Sequence, residues 1–89
     1  MKLVHSWNAL GVIESRDGQP QVAIEAWRKA VEADPRMADA LFNLGLMLGR
    51  EGDRNGALEA LQRYAELAHG EDRVRAEEMI RELRPVPPS

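Results

Sequence analysis

The sequence predicts an all-α fold made of two stacked helix pairs and one capping helix. Two stretches, residues 7–33 and 41–67, align at an offset of 34 residues with 8 identical positions in 27. A fixed period of this length indicates that one helix pair is used twice. Within each stretch the apolar residues recur at helical spacing, and glycine or proline interrupts the pattern between helices. Units of this kind stack into a scaffold whose usual role is to bind another chain.

The first helix pair is bounded by glycine and proline. The first helix is predicted over residues 3–16 and ends before Gly18, because glycine readily takes the left-handed conformation that closes a helix. Pro20 begins the second helix, since its missing N–H has no helical partner at that position. Pro35 ends this helix because it cannot donate a hydrogen bond. Its predicted buried stripe is Val22, Ala23, Ala26, Trp27, Ala30 and Val31.

The second pair repeats this order and is followed by a fifth helix. The third helix ends before Gly52, Asp53 is the predicted N-cap of the fourth helix, and Gly70 closes that helix. The fifth helix, predicted over 72–83, is apolar on one face only. We therefore expect one domain over residues 1–84, comprising repeat 1 (about 4–37), repeat 2 (about 38–71) and the cap, before an extended proline-rich tail at 85–89.

Composition narrows the function classes. The chain has 89 residues, 44% hydrophobic and 30% charged, with no apolar run near the roughly 20 residues that span a membrane. Its net charge of −3 gives no basic surface for nucleic acid. It lacks cysteine, which fits a cytoplasmic location, although an exported parent protein is also compatible. Arginine outnumbers lysine 10 to 2, as is typical of GC-rich bacterial genomes.

Catalytic and metal chemistry are not expected from this sequence. The histidines, His5 and His69, are 64 positions apart, and neither has the spacing of a metal motif. The acids near the interhelical glycines are explained by turns and caps, and the glycines match no phosphate-binding loop. We expect no enzyme activity, no cofactor and no metal site.

Each unit carries a recognisable set of residue types. The first unit offers Trp7, Leu10, Gly11, Glu14, Ala23, Trp27, Ala30 and Pro35, and the second offers Leu41, Leu44, Gly45, Leu48, Ala57, Leu61, Tyr64 and His69. In this the chain resembles the tetratricopeptide repeat family from about residue 4 to 71, with departures at Glu14, Tyr64 and His69. The resemblance implies a right-handed α-solenoid that acts as a protein-binding scaffold. It also assigns Gly11, Gly45, Ala23 and Ala57 to the close helix crossings, where larger side chains would force the helices apart.

The resemblance further implies a concave groove lined by the first helix of each pair, in which a partner's peptide or helix binds. The groove positions are His5, Asn8, Ala9, Val12 and Arg16 from the first helix, Asp39, Phe42, Asn43, Leu46 and Arg50 from the third, and Arg73 at the margin. The alternative is that Asn43 and Phe42 are ordinary scaffold residues. Some family members grip a chaperone's C-terminal carboxylate with lysines, asparagines and an arginine, but here only Asn43 and Arg73 match that set, so we do not expect this function.

The number of repeats leaves a second function class open. Repeat folds usually need about three units for stability, and this chain has two and a cap. We expect either the C-terminal repeat segment of a larger protein or a small protein that covers its N-terminal helix face by forming a homo-oligomer. A protein-binding adaptor is therefore the first hypothesis, and a structural or self-association module is the second. A remoter third is an accessory segment of an enzyme.

Overall fold

Five α-helices follow one another in the part of the chain that the structure describes. The computed structural model describes the backbone of residues 3–84 and the side chains of residues 7–84. The helices are α1 (Leu3–Arg16), α2 (Pro20–Ala33), α3 (Ala38–Arg50), α4 (Arg54–Leu67) and α5 (Gly70–Leu83), and no strand occurs between residues 3 and 84. The all-α prediction is confirmed. The predicted tail at 85–89 lies outside the described residues.

The two loops within the helix pairs occupy the same phase of the repeat. Gly18 and Gly52 have φ values of 76° and 89°, in the left-handed region that glycine tolerates best. Asp53 caps α4 as predicted, because its Oδ1 accepts a hydrogen bond of 2.9 Å from the Gly56 N–H. Gln19, the matching residue before α2, makes no side-chain cap. Gly70, expected to close α4, is instead the first residue of α5.

The core lies in the middle of an elongated stack that measures 51 × 28 × 19 Å. Leu41 and Leu61 are its largest fully buried side chains. The close crossings fall where the sequence predicted them. A Cβ on Gly11 would lie 2.5 Å from Trp27 Cε2, and one on Gly45 would lie 2.8 Å from Leu61 Cγ. Both distances are too short for real atoms, so the glycines let each helix pair close.

One residue of the predicted α2 stripe is wrongly placed. Val22 is 45% exposed, whereas Ile24, absent from the predicted stripe, is 4% exposed. Two residues along an α-helix correspond to a turn of about 200°, so Val22 points away from the side on which Ile24 packs. The other predicted stripe residues of α2 are buried.

Candidate binding groove

α1 and α3 face each other across a cavity of about 180 Å³. Its lining residues are Val12, Ser15 and Arg16 from α1, Asn43, Leu46, Met47 and Arg50 from α3, and Trp27 from α2. Five of the eleven sequence-predicted groove residues are therefore brought together here, namely Val12, Arg16, Asn43, Leu46 and Arg50.

Helical spacing explains why these residues share one cavity. The α1 residues follow i, i+3, i+4 spacing from Val12, and the α3 residues follow i, i+3, i+4, i+7 spacing from Asn43, so each set lies on one helix face. Val12 and Leu46, like Arg16 and Arg50, are also separated by the 34-residue period. The repeat therefore delivers the same residue types to the cavity from two neighbouring helices.

A pair of asparagines links the two helices on this face. Asn43 Nδ2 donates a partly buried hydrogen bond of 3.4 Å to Asn8 Oδ1, which ties another predicted groove residue to the cavity. An asparagine amide carries two donor hydrogens and one acceptor oxygen, so this bond leaves further hydrogen-bonding capacity on both side chains. The pair can hold a peptide group of an extended chain.

Trp27 of α2 also lines the cavity, a role that the sequence did not reveal. Its side chain is 3% exposed, and its Nε1–H is buried without a hydrogen-bond partner among residues 7–84. Buried polar groups without partners are uncommon in folded proteins. Ser15 and Met47 were also missed, although the i+3 spacing from Val12 and the i+4 spacing from Asn43 would have found them. Trp27 comes from another helix, and only the folded chain places it there.

The charged residues that line the cavity are all of one sign. Arg16 and Arg50 are its charged lining residues, and both are exposed. A larger cavity of about 410 Å³ between α2 and α4 has a balanced lining instead. It is lined by Glu25, Glu32 and Glu59 together with Arg28, Lys29 and Arg63. The charged lining residues of the α1/α3 cavity are therefore all positive, although the whole chain carries a net charge of −3.

Two predicted residues lie in a neighbouring cluster around Tyr64. Phe42 is half-buried, and its ring centroid lies 5.0 Å from that of Tyr64 with the planes tilted by 45°. Burial raises the pKa of Tyr64 above its usual 10.0, and the negative charges of Asp72 and then Asp39 raise it further, while Arg75 lowers it. Phe42 thus packs within the scaffold, and Asp39 acts on the Tyr64 hydroxyl.

Arg73 and His5 are not among the residues that line the cavity. Arg73 Nε lies 3.7 Å from Glu77 Oε2 on the exposed surface of α5. The buried residues of α5, Ala76 and Ile80, follow Ala40 and Leu44 by 36 positions, so α5 is out of phase with the 34-residue period by two residues. His5 lies in α1, but its side chain is outside the described residues.

A metal-binding cluster and a membrane-spanning helix are both absent from the described part of the chain. From residue 3 to residue 84, no cluster of three or more histidine or acidic side chains is placed to hold a metal ion. None of the helices in this range has the length and apolarity needed to cross a membrane.

A family model for the tetratricopeptide repeat matches residues 8–72. The chain belongs to the tetratricopeptide repeat family. Members of this family generally mediate protein–protein interaction, and the fold is typically non-catalytic. The match includes α2 to α4 entirely, together with most of α1, and so contains every residue that lines the α1/α3 cavity.

Two curated relatives carry the repeat within longer proteins. A probable biofilm formation methyltransferase, WspC, from Pseudomonas aeruginosa is 39% identical over 56 residues, which cover 63% of this chain and 13% of that protein. WspC from Pseudomonas putida is 31% identical over 70 residues, which cover 79% of this chain and 16% of that protein. The chain therefore corresponds to less than a fifth of each relative, both of which are bacterial.

Proposed function

We propose that this tetratricopeptide repeat domain is an adaptor that holds an extended peptide, or a helix, of a partner protein in the groove between α1 and α3. The observation that carries the proposal is the α1/α3 cavity itself, where matched residues of two repeats meet beside the Asn8–Asn43 pair. Val12, Leu46 and Met47 offer apolar contacts to a side chain of the bound segment. The asparagine amides can bond its backbone.

An NMR titration of the ¹⁵N-labelled protein with a peptide that binds it tests this proposal. Short random peptides are first selected for binding by display on phage, and the best binder is synthesised. We expect it to shift the side-chain amide signals of Asn8 and Asn43 and the indole signal of Trp27. The chain has two tryptophans, so the Trp7 indole provides an internal reference. Shifts confined to Glu25, Glu59 and their neighbours would place binding in the other cavity and contradict the proposal.

Matched variants distinguish binding in the groove from nonspecific peptide binding. Replacing Asn43 and Arg50 by Ala should reduce peptide affinity by about tenfold or more, because one amide and one cation of the cavity are lost. The control replaces Arg28 and Arg63 by Ala, which removes two cations from the α2/α4 cavity where the groove variant removes one cation and one amide. Equal losses in both double variants would rule out specific binding between α1 and α3. Both should keep wild-type oligomeric state by light scattering.

A second candidate function is self-association through the N-terminal helix face. Ile13 is 54% exposed, whereas Met47, its counterpart one repeat later, is 7% exposed beneath neighbouring helices. A second copy could cover Ile13 as the stack covers Met47. Light scattering at high micromolar concentration decides this: a clean monomer excludes self-association, and a dimer that Ile13→Glu dissociates supports it.

The relatives' names favour a third possibility, that this domain serves a larger methyltransferase. Both are called probable biofilm formation methyltransferases, and the matched region is a small part of each. In that case the domain itself is not the enzyme and recruits a partner to one, in the cytoplasm and without nucleic acid or membrane contact. Reading the coding sequence upstream and downstream of this segment for an in-frame methyltransferase domain tests the idea directly.

A further inference from the structure

We propose that the segment bound between α1 and α3 is acidic, with one aspartate or glutamate carboxylate held between Arg16 and Arg50 and a neighbouring apolar side chain seated on Val12, Leu46 and Met47. This inference rests on the proposed groove function and names the chemistry of its partner. It follows from the charges that line each cavity, from the lack of ion-pair partners for the two arginines among the side chains of residues 7–84, and from the apolar share of the lining.

The lining charges set this cavity apart from three others on the described part of the chain. The α1/α3 cavity is lined by two arginines and no acid. The α2/α4 cavity balances three acids with three bases. A cavity at the start of α5 combines Glu71 and Glu78 with Arg75, and one between α4 and α5 combines Glu77 with Arg81 and Arg84. Of these four cavities, the α1/α3 cavity is the one lined by basic residues without an acidic residue, in a chain whose net charge is −3.

Neither arginine forms an ion pair within the part of the chain whose side chains are described. In the stretch whose side chains are described, residues 7–84, the ion pair within 4.0 Å is Arg73 with Glu77, and neither Arg16 nor Arg50 has such a partner. Each lies in the last turn of its helix, where the helix dipole favours a cation. The dipole of each helix stabilises its own arginine. The two like charges still repel each other, because both line one cavity. An anion between them removes that repulsion and gains charge-assisted hydrogen bonds.

The rest of the lining favours a carboxylate over a more highly charged group. Val12, Leu46, Met47 and the nearly buried Trp27 make half of the lining residues apolar or aromatic. Burying a dianion such as a phosphoryl group against such a surface costs more than burying a single negative charge. The planar guanidinium of arginine matches the oxygens of a carboxylate and of a phosphoryl group alike, so the apolar lining is what favours the carboxylate. An aspartate or glutamate beside a leucine, isoleucine or methionine meets both requirements.

Peptide selection with charge-altered variants tests this inference. The same phage-displayed random peptides are selected on the wild type, on R16Q/R50Q, on R16E/R50E and on the control R28Q/R63Q. The wild type and the control should enrich peptides that carry Asp or Glu next to Leu, Ile or Met. R16Q/R50Q should lose the acidic preference, and R16E/R50E should enrich Lys or Arg at that place. Arg16 and Arg50 are exposed, so the variants should fold, which circular dichroism checks.

Affinity measurements on one selected peptide complete the test. Changing its acid to the neutral amide should weaken binding to the wild type by about tenfold, and should change little for R16Q/R50Q. Added salt should weaken the acidic peptide more than its amide form. Wild-type enrichment without an acid, or the same acidic preference in R16Q/R50Q, overturns the acidic-partner inference and leaves the groove proposal standing. Failure of the wild type to enrich any peptide overturns both.

Discussion

The two helix pairs share one pattern but differ at the positions where each meets its neighbours. In both pairs a glycine of the first helix lies against a large side chain of the second, Trp27 in the first pair and Leu61 in the second. α3 is covered by α2 on one side and α4 on the other, so its residue Met47 is buried. The matching Ile13 of α1 is exposed, because no described helix precedes α1.

This difference separates two kinds of packing. The repeat sequence sets the packing within a helix pair, whereas the position of the pair in the stack sets the packing between pairs. The close crossing within a pair is set by local sequence and appears twice. Burial between pairs depends on the next helix in the stack, as the buried Met47 and the exposed Ile13 show. The second pair should therefore carry more of the free energy of unfolding, and substitutions at matched positions should expose the imbalance.

The largest expected effect is at the centre of the second pair. Leu61 is fully buried, so Leu61→Ala should lower the free energy of unfolding by about 2 to 5 kcal/mol through lost burial and the cavity left behind. Val22→Ala is the control, since a substitution at this exposed position should change stability by less than about 0.5 kcal/mol. Urea denaturation followed by far-UV circular dichroism measures both. Similar losses in the two variants would contradict the described core.

The glycine crossings should tolerate a methyl group unequally. Gly11→Ala places a Cβ against the rigid indole of Trp27, and Gly45→Ala places one against Leu61, a more flexible side chain. Overpacking costs about 1 to 3 kcal/mol, and the better helix propensity of alanine returns up to about 1 kcal/mol. We expect the larger loss of stability at Gly11, measured by the same denaturation experiment.

A double variant checks that the indole causes the loss at Gly11. Trp27→Leu gives the first pair the residue that the second pair has at this position. In the Trp27→Leu background, Gly11→Ala should cost less than in the wild type, because the shorter side chain makes room for the added methyl group. If the two substitutions proved additive, contact with Trp27 would not be the cause.

A smaller difference between the pairs lies at their second helices' N-termini. Asp53→Ala removes the α4 cap and should cost about 0.5 to 2 kcal/mol. Gln19→Asp places a capping residue before α2, which has none, and should stabilise by up to about 1 kcal/mol. Asp17→Ala in the first loop serves as the control with little expected change. A loss of stability in Gln19→Asp would show that the two N-termini differ in geometry as well as in sequence.

These matched positions also show how far the sequence alone could go. The helix order, the Gly11 and Gly45 crossings and the Asp53 cap follow from local residue types, and all were predicted. Arg73 was predicted at the groove margin, but the buried residues of α5 follow those of α3 by 36 positions and not by the 34-residue period. Trp27 reaches the cavity from a third helix, and no spacing within one helix encodes that contact.

The smallest expected effect concerns Tyr64, whose counterpart in the first pair is the buried Ala30. Because the pKa of Tyr64 is raised above 10.0 in the folded chain, folding favours the neutral phenol. The stabilisation is present below pH 10.0 and is lost as the pH rises through the folded-state pKa. The wild type should therefore lose stability relative to Tyr64→Phe over this window, as urea denaturation at several alkaline pH values would show.

The charges around Tyr64 provide a sharper form of the same test. Tyr64 is the single tyrosine of the chain, so the ultraviolet absorbance of its phenolate follows its titration directly. Asp72→Asn should move its pKa down towards 10.0, and Arg75→Gln should move it further up. Arg73→Gln, the control, should leave it unchanged because Arg73 pairs with Glu77. A larger effect from Arg73 than from Arg75 would contradict the 36-residue offset. It would indicate that α5 follows the 34-residue period and that Arg73 lies at the groove margin.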